Sequence, residues 1–478
     1  MEEAEAEASA ISDEIVAAEA WHVLSREHSK AQRWTRARQA IDSALRHRPS
    51  ARSLRFERAL VMEQQGLYEE ALAELERLAI EAEDSPQLVA HLARALQLSA
   101  RVPEAEVRLE AGLRRWPTDV QLHVLLARLR WLRGYGEQAT LWLERAIAEF
   151  PKELQLRLVA ADLLRNAGFP EKALAVLQGG LRVAPDSAGF LTSVGVVLDG
   201  LHRPAEALVY LRAALSRAPD SAPCKRNLIP TLLRVAEPTE ALAWCDQLLQ
   251  KASDDQQLVA YRATALRMLG DPRYEVLHDY DRLVRIYRPP PPPEFRSIEE
   301  FNSALASELL RLHREERRPL DQSLRGGTQT DRTLPPGNPV IAAFFAMIDA
   351  SIMDYISRLH EGSDHPTDRR KSAAYRIAGS WSVKLQPGGF HLNHVHPRGW
   401  MSSAYYVEVP LQTASGGAPA GWLKFGEPGT PMLGCPPDHF VKPEAGTLVL
   451  FPSYMWHGTV PFDEGTHRLT AAFDVVPV

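Results

Sequence analysis

The chain is 478 residues long, enough for two or three separately cored domains, and its 45% hydrophobic and 24% charged content is that of a folded globular protein. A formal net charge of −6 argues against a protein that coats nucleic acid. The acidic opening Met1-Glu2-Glu3-Ala4-Glu5-Ala6-Glu7 is the opposite of a targeting peptide, and no apolar run reads as a bilayer span of roughly 20 residues, so a cytoplasmic chain off the membrane is expected.

The first elements form a repeat. Alanine recurs at Ala37, Ala71, Ala105, Ala139, Ala173, Ala207 and Ala241, a step of 34 residues, mostly after glutamate as in Glu70-Ala71-Leu72 and Glu206-Ala207-Leu208. That period is the one of tetratricopeptide (TPR) repeats, each a pair of helices. Proline returns in the same register at Pro49, Pro117, Pro151, Pro185 and Pro219, where one helix must end and the next begin. Gly66, Gly134 and Gly168 fall in the turn inside a repeat. A small residue at the recurrent alanine lets the second helix pack closely on the first. Residues 1–288 are therefore expected to stack as an all-α superhelical solenoid with a concave groove of the kind that holds a protein or peptide. Dimerisation or stiffening is the plainer use of the same surface. Cys224, Cys245 and Cys435 have no paired spacing, so reduced thiols are expected.

A last, less regular helix is expected to end near Arg285-Ile286-Tyr287-Arg288, before five prolines, Pro289 to Pro293, which predict an extended spacer over 289–298. Two helical patterns follow within 299–372, roughly Ser297 to Glu315 and Asn338 to His360. They bracket a glycine-centred polar loop, Ser323-Leu324-Arg325-Gly326-Gly327-Thr328-Gln329-Thr330, which either turns the chain or lines the mouth of a site through Arg325, Thr328 and Gln329. From 373 to 478 the period becomes alternating. Strands are predicted at Tyr375 to Leu385, Met401 to Val409, Gly421 to Phe425, Thr447 to Phe451 and His467 to Val476, the spacing of a sandwich or jelly roll with helices packed ahead of it.

Within that region the spacing of His394, His396, His457 and Arg468 carries the chemistry. Two histidines on alternate residues of a strand project to one face, and a third returning from a distant strand closes a three-point metal site. Gln386-Pro387-Gly388-Gly389 supplies a turn ahead of the pair, and Pro452 and Gly458 frame the third. Arg468, close behind the last histidine, offers a planar fork for a carboxylate, and Thr470 lies on the same face of its strand. Surface pairing of Arg468 with Asp463 or Asp474 is the alternative. Tyr405 and Tyr406 alternate, so one is expected to enter the barrel and bind the co-substrate while the other packs outside. Trp381, Ser382 and Lys384 are further candidates for the wall. His391 is off the two-residue period and reads as a spare or supporting group.

The segment from about Asp279 to the end resembles the bacterial family of 2-oxoglutarate and iron(II)-dependent oxygenases that follow tetratricopeptide repeats. The similarity rests on Ser323-Leu324-Arg325-Gly326-Gly327-Thr328-Gln329-Thr330, His394-Val395-His396-Pro397, Ser402-Ser403-Ala404-Tyr405-Tyr406-Val407 and Arg468-Leu469-Thr470. It implies a double-stranded β-helix that holds iron(II) on His394, His396 and His457. Arg468 and Thr470, with Tyr405 or Tyr406, would bind 2-oxoglutarate, and hydroxylation would consume dioxygen. His396 stands where many such oxygenases have a carboxylate, so a site with only His394 and His457 as protein ligands is left open. Two rivals remain. A cupin also carries a His-x-His pair, but it would add a glutamate three or four residues later, where this chain has Gly399 and Trp400. A non-catalytic interaction protein with a degenerate barrel is the other.

Overall fold

Each 34-residue period folds as two helices because a small residue recurs where their axes approach. Pairs such as Glu14–Lys30 with Trp34–His47 and Ala188–Gly200 with Pro204–Arg217 repeat the arrangement. Ala37, Ala71, Ala105, Ala173, Ala207 and Ala241 are all fully buried in the second helix, and Ala139 lies in a 3-10 turn, Gly136–Thr140. Pro170, Pro204 and Pro238 open second helices, where a missing N–H costs nothing. This computed structural model describes residues 2–31, 33–81, 85–313, 320, 322–330, 333–335, 337–410, 419–463 and 465–478. They divide into two compact units, residues 1–130 with 135–159 and residues 131–134 with 160–478.

Among the described residues, the turn inside the repeats is left-handed at seven positions 34 residues apart. Gly66, Ala100, Gly134, Gly168, His202, Ala236 and Gly270 have φ of 79°, 60°, 84°, 91°, 60°, 60° and 65°. A Cβ in this region costs about 1–2 kcal/mol, partly offset by the larger backbone entropy glycine loses on folding. Ala236→Gly is therefore expected to stabilise the protein by about 0.5–1 kcal/mol. An unchanged or lower urea midpoint would show that the turn carries no strain.

The strands are β1 (Arg285–Tyr287), β2 (Leu324–Gln329), β3 (Tyr375–His391), β4 (Met401–Glu408), β5 (Leu423–Phe425), β6 (His439–Val441), β7 (Leu448–Pro452), β8 (His457–Thr459) and β9 (Arg468–Pro477). They form an antiparallel sheet β1-β7-β4-β9-β3-β2 and a second, β6-β5-β8, as in a jelly roll. Alternation sorts the large sheet's residues. Leu448, Leu450, Leu469, Ala471 and Phe473 pack against Phe301, Phe344, Ile348 and Ile352 from the helices Ile298–Leu312 and Pro339–Ser357. Val449, Phe451 and Tyr406 turn the other way, onto Leu423 and Phe425 of the small sheet.

Three local expectations change. Arg285–Tyr287, read as the end of a helix, is the edge strand β1 paired with β7, so the proline run is flanked by the β-domain on both sides. Three residues are too few to show a period. The polar loop at 323–330 is largely strand β2, whose two glycines hide its alternation. Pro339–Ser357 is long and apolar enough to cross a bilayer, with a mean hydropathy of 1.6, contrary to the reading of the sequence. Its face carrying Ile341, Phe344, Ile348, Ile352 and Tyr355 lies in the core against the sheet.

The last repeat helix, Gln256–Met268, braces the β-domain. Arg267 donates to the carbonyls of Gly426 (3.0 Å) and Pro436 (2.9 Å), and the Trp456 indole donates to Thr264 (3.1 Å). Gln256 N–H donates to the carbonyl of Pro397 (3.2 Å). Tyr274 and Tyr280 both donate to Asp438 at 2.6 Å. Burial holds His278, His313 and His365 neutral, each down at about 4. Below about 6.5 the unfolded chain takes up these protons and the folded chain does not. Stability present above about 6.5 is thus expected to fall progressively toward pH 4. A thermal midpoint unchanged between pH 7 and pH 5 would contradict this.

Candidate metal centre and co-substrate cavity

Extended backbone brings three imidazoles together where the two sheets meet. His394 and His457 face each other across one antiparallel bridge, each N–H donating to the other's carbonyl at 2.9 and 3.1 Å. Their ring centroids lie 4.3 Å apart, and that of His396 lies 5.1 Å from both. One ring nitrogen of each falls within 4.8 Å of the others. His394 and His396 were expected on a strand, but β3 stops at His391 and the pair lies in a loop with that single bridge. Their rings still converge because extended backbone keeps the two-residue alternation.

All three Nδ1 atoms are engaged. That of His394 lies 2.8 Å from the Leu392 carbonyl, that of His457 2.9 Å from the Met455 carbonyl, and that of His396 2.6 Å from the Asp474 carboxylate. These oxygens only accept, so each Nδ1 carries the proton and each Nε2 keeps a lone pair for a metal. His394 is partly open to a cavity but otherwise enclosed, and burial holds it down at about 3; burial, then its histidine neighbours, hold His457 well below the usual value. The donor set fits a divalent iron ion with open positions.

Asp474 escaped the reading of the sequence except as a surface partner for Arg468. It shares the inward face of β9 with Arg468 and Thr470, and it accepts from Ser402 Oγ (2.7 Å) as well as from His396. A carboxylate, which many iron sites place on the metal, is here hydrogen-bonded to an imidazole of the triad. Asp474→Asn is expected to weaken metal affinity by roughly 10- to 100-fold, measured by competition with a chromophoric chelator. Parent-like affinity would reduce Asp474 to a packing role.

The loop carrying His394 lies close on β8. A Cβ on Gly458 would sit 2.2 Å from Asn393 Oδ1 and 3.0 Å from the His391 carbonyl, so only glycine admits that approach. Asn393 in turn donates to Glu427 (2.8 Å) and to the Pro428 carbonyl (3.2 Å). Trp400 is fully buried, with its indole donating to the Thr367 carbonyl, and it occupies a place where a cupin would carry its glutamate.

A narrow cavity runs inward from the histidines to Arg468, lined also by Tyr406 and Thr470. Arg468 is 4% exposed and donates to the Gly421 carbonyl (2.7 Å) and to Thr459 Oγ1 (3.2 Å). Its Nε and the Thr470 Oγ1 have no partner among the described residues. Each unsatisfied buried polar group costs about 1–3 kcal/mol, so two of them on residues lining one cavity mark a cradle for a polar ligand. Arg468 pairs with neither Asp463 nor Asp474, and it lies over the Tyr406 ring at 5.7 Å. Tyr406 is the tyrosine that enters the barrel. Tyr405 leaves the co-substrate set: it faces the helices, with its hydroxyl donating to Asn302 (2.7 Å) and its ring 5.2 Å from Phe344.

Trp381 lines this cavity, 5.5 Å from the His396 ring. Ser382 and Lys384 do not line it; Ser382 Oγ lies 3.0 Å from His313 Nε2. His391 stands outside the metal group, with its Nδ1 3.0 Å from Ser323 Oγ. A second, wider cavity of about 760 Å³ opens on the other side of the histidines and shares Trp381, His391, His394 and His396 with the first. His394 and His396 thus stand at a junction between a deep slot and an open vestibule. Arg325 and Gln329 line the vestibule, while Thr328 bonds to His313 Nδ1 (2.8 Å).

Known proteins show both parts of the chain. A family model described as "Putative 2OG-Fe(II) oxygenase" matches residues 379–474, and one for the tetratricopeptide repeat matches residues 22–86 and 158–222. No curated protein matches the chain. Among solved structures it is similar to a tetratricopeptide repeat protein from Parabacteroides merdae, with 12% identity over 52% of this chain and 98% of that one, TM-score 0.35. A thermophilic repeat protein from Thermus thermophilus gives 24% identity, 45% and 99% coverage, and 0.26. Yeast Tom70 gives 14%, 56% and 57%, and 0.41.

Proposed function

We propose that this protein is a 2-oxoglutarate- and iron(II)-dependent dioxygenase, working in the cytoplasm as a hydroxylase of a protein or peptide segment recruited by its repeats. The observation that carries the reading is the slot itself: three converging imidazoles at one end, with only the His394 Nε2 near another polar side chain (Ser323 Oγ, 3.4 Å), and Arg468 Nε and Thr470 Oγ1, unpartnered among the described residues, at the other. Iron(II) with 2-oxoglutarate and dioxygen supplies an oxidant that hydroxylates C–H bonds, leaving succinate and carbon dioxide.

The chain's own residues do the rest. His394, His396 and His457 would hold the iron through their imidazoles. Arg468 and Thr470 fix the far carboxylate of 2-oxoglutarate, which sets its keto acid toward the histidines. Tyr406 walls the slot and Trp381 separates it from the vestibule, so water is kept from the buried end. The vestibule delivers the substrate's reacting carbon to the open side. The three buried, unpaired cysteines accord with a reducing compartment.

The test is anaerobic reconstitution with iron(II) followed by titration of 2-oxoglutarate. A metal-to-ligand charge-transfer band saturating at one equivalent is expected. Its absence at saturating co-substrate would remove the oxygenase reading.

A further inference from the structure

Arg325 lies in the wall of the vestibule, in a strand whose conformation is arranged around it. The pairing of β2 with β3 shifts by three residues between Arg325↔Phe390 and Gly327↔Leu385: the four residues Gln386 to Gly389 of β3 stand opposite the single Gly326, which has φ +65°. A Cβ on Gly326 would sit 2.8 Å from Gly389 Cα, so two glycines let the strands close behind the bulge. Irregular pairings of this kind gather beside active sites.

The guanidinium is anchored on one nitrogen. Nη1 donates to the carbonyls of Gln322 (3.2 Å) and Leu324 (2.8 Å), while Nε and Nη2 have no partner among the described residues. Those two nitrogens form the edge that accepts a carboxylate bidentately. Arg325 is half-buried without a counter-ion among the described residues, and burial pulls its pKa down. Arg398, exposed on the same vestibule, also has no hydrogen bond or ion pair among the described residues. The one carboxylate among the described lining residues, Asp474, is committed to His396 and Ser402. Arg165 on the rim is paired with Asp162 at 2.7 Å.

We propose that the vestibule takes an acidic peptide segment, with a substrate carboxylate on the free edge of Arg325 and a second acidic group near Arg398. This deepens the hydroxylase reading and rests on it for the identity of the substrate as peptide. The residue presented to the metal would then be flanked by aspartate or glutamate, or would lie near a chain end.

Fluorescence anisotropy on the full chain tests this with three labelled peptides on one Gly/Ser/Ala framework. One carries two glutamates around the central residue and a C-terminal amide, one carries glutamines instead, and one carries glutamines with a free C-terminal carboxylate. The glutamate peptide is expected to bind about tenfold tighter than its glutamine counterpart, and Arg325→Gln to erase that preference. Arg325→Lys keeps the charge without the fork and should retain only about a third of the preference. Arg398→Gln, at an exposed position that does not endanger folding, should also reduce it. Tight binding of the free-carboxylate peptide alone supports the same anchor and assigns it to a chain end.

Equal binding of all three peptides overturns the proposal. So does a preference that survives Arg325→Gln in protein with parent-like circular dichroism, or no binding of any peptide at millimolar concentration. These measurements need neither iron nor 2-oxoglutarate. A preference that depends on Arg325 without a charge-transfer band would remove only the oxygenase reading, and the reverse pattern would remove only this inference.

Discussion

His457→Ala is expected to abolish stoichiometric iron(II) binding, and His394→Ala to do the same. Each imidazole supplies one of three donors, and structural metal sites with four ligands gain about 10–16 kcal/mol on binding, so the loss of one donor is on the order of 3 kcal/mol or more. The bridge between the two residues is made by backbone N–H and C=O groups, which alanine keeps. The repeats share no side chain with the triad, so helicity should persist in both variants. His396→Ala distinguishes the two ligand sets. With three ligands iron is lost and the Asp474 carboxylate is stranded; near-normal iron would mean a centre of His394 and His457 alone. Iron per chain after anaerobic loading and desalting is the measurement, and one equivalent retained in both His394→Ala and His457→Ala would remove the site.

Much of this was legible in the chain, for identifiable reasons. The repeats show because a steric requirement recurs every 34 residues at Ala37 to Ala241 and leaves the same mark each time. The left-handed turn showed only at its glycines, since Ala100, His202 and Ala236 adopt that conformation without advertising it. The triad shows because extended backbone projects alternate residues together whether or not a ladder forms. Asp474 had a usable signal, its even spacing from Arg468 and Thr470 on β9. Its role, however, depends on where the His396 loop returns, which no local pattern encodes. Tyr405 and Tyr406 were separable only once the helices Ile298–Leu312 and Pro339–Ser357 were placed against one face of the sheet. Arg325 was legible as a candidate for the mouth of a site, but the strand that carries it was not, because Gly326 and Gly327 break the alternation from which strands are read.

Arg468→Lys is expected to weaken 2-oxoglutarate by about 1.5–3 kcal/mol, roughly 10- to 150-fold in dissociation constant, while iron binding stays near that of the parent. The guanidinium already uses Nη1 on the Gly421 carbonyl and Nη2 on Thr459, so it is held in orientation before any ligand arrives. What it offers the ligand is Nε, unpartnered, beside the unpartnered Thr470 hydroxyl. A lysine ammonium keeps the charge but not this division of labour. It must either release the two oxygens that lock the cradle or fail to reach the carboxylate. Thr470→Val removes the second contact at nearly constant volume and should cost less, about 0.5–1.5 kcal/mol, because a neutral hydroxyl contributes one ordinary hydrogen bond. Isothermal titration of 2-oxoglutarate into anaerobic iron(II)-loaded protein reads both. The order of the two losses is the diagnostic: if Arg468→Lys binds 2-oxoglutarate as the parent does, or if Thr470→Val is the more damaging change, the far carboxylate does not rest on Arg468 and the slot has another occupant.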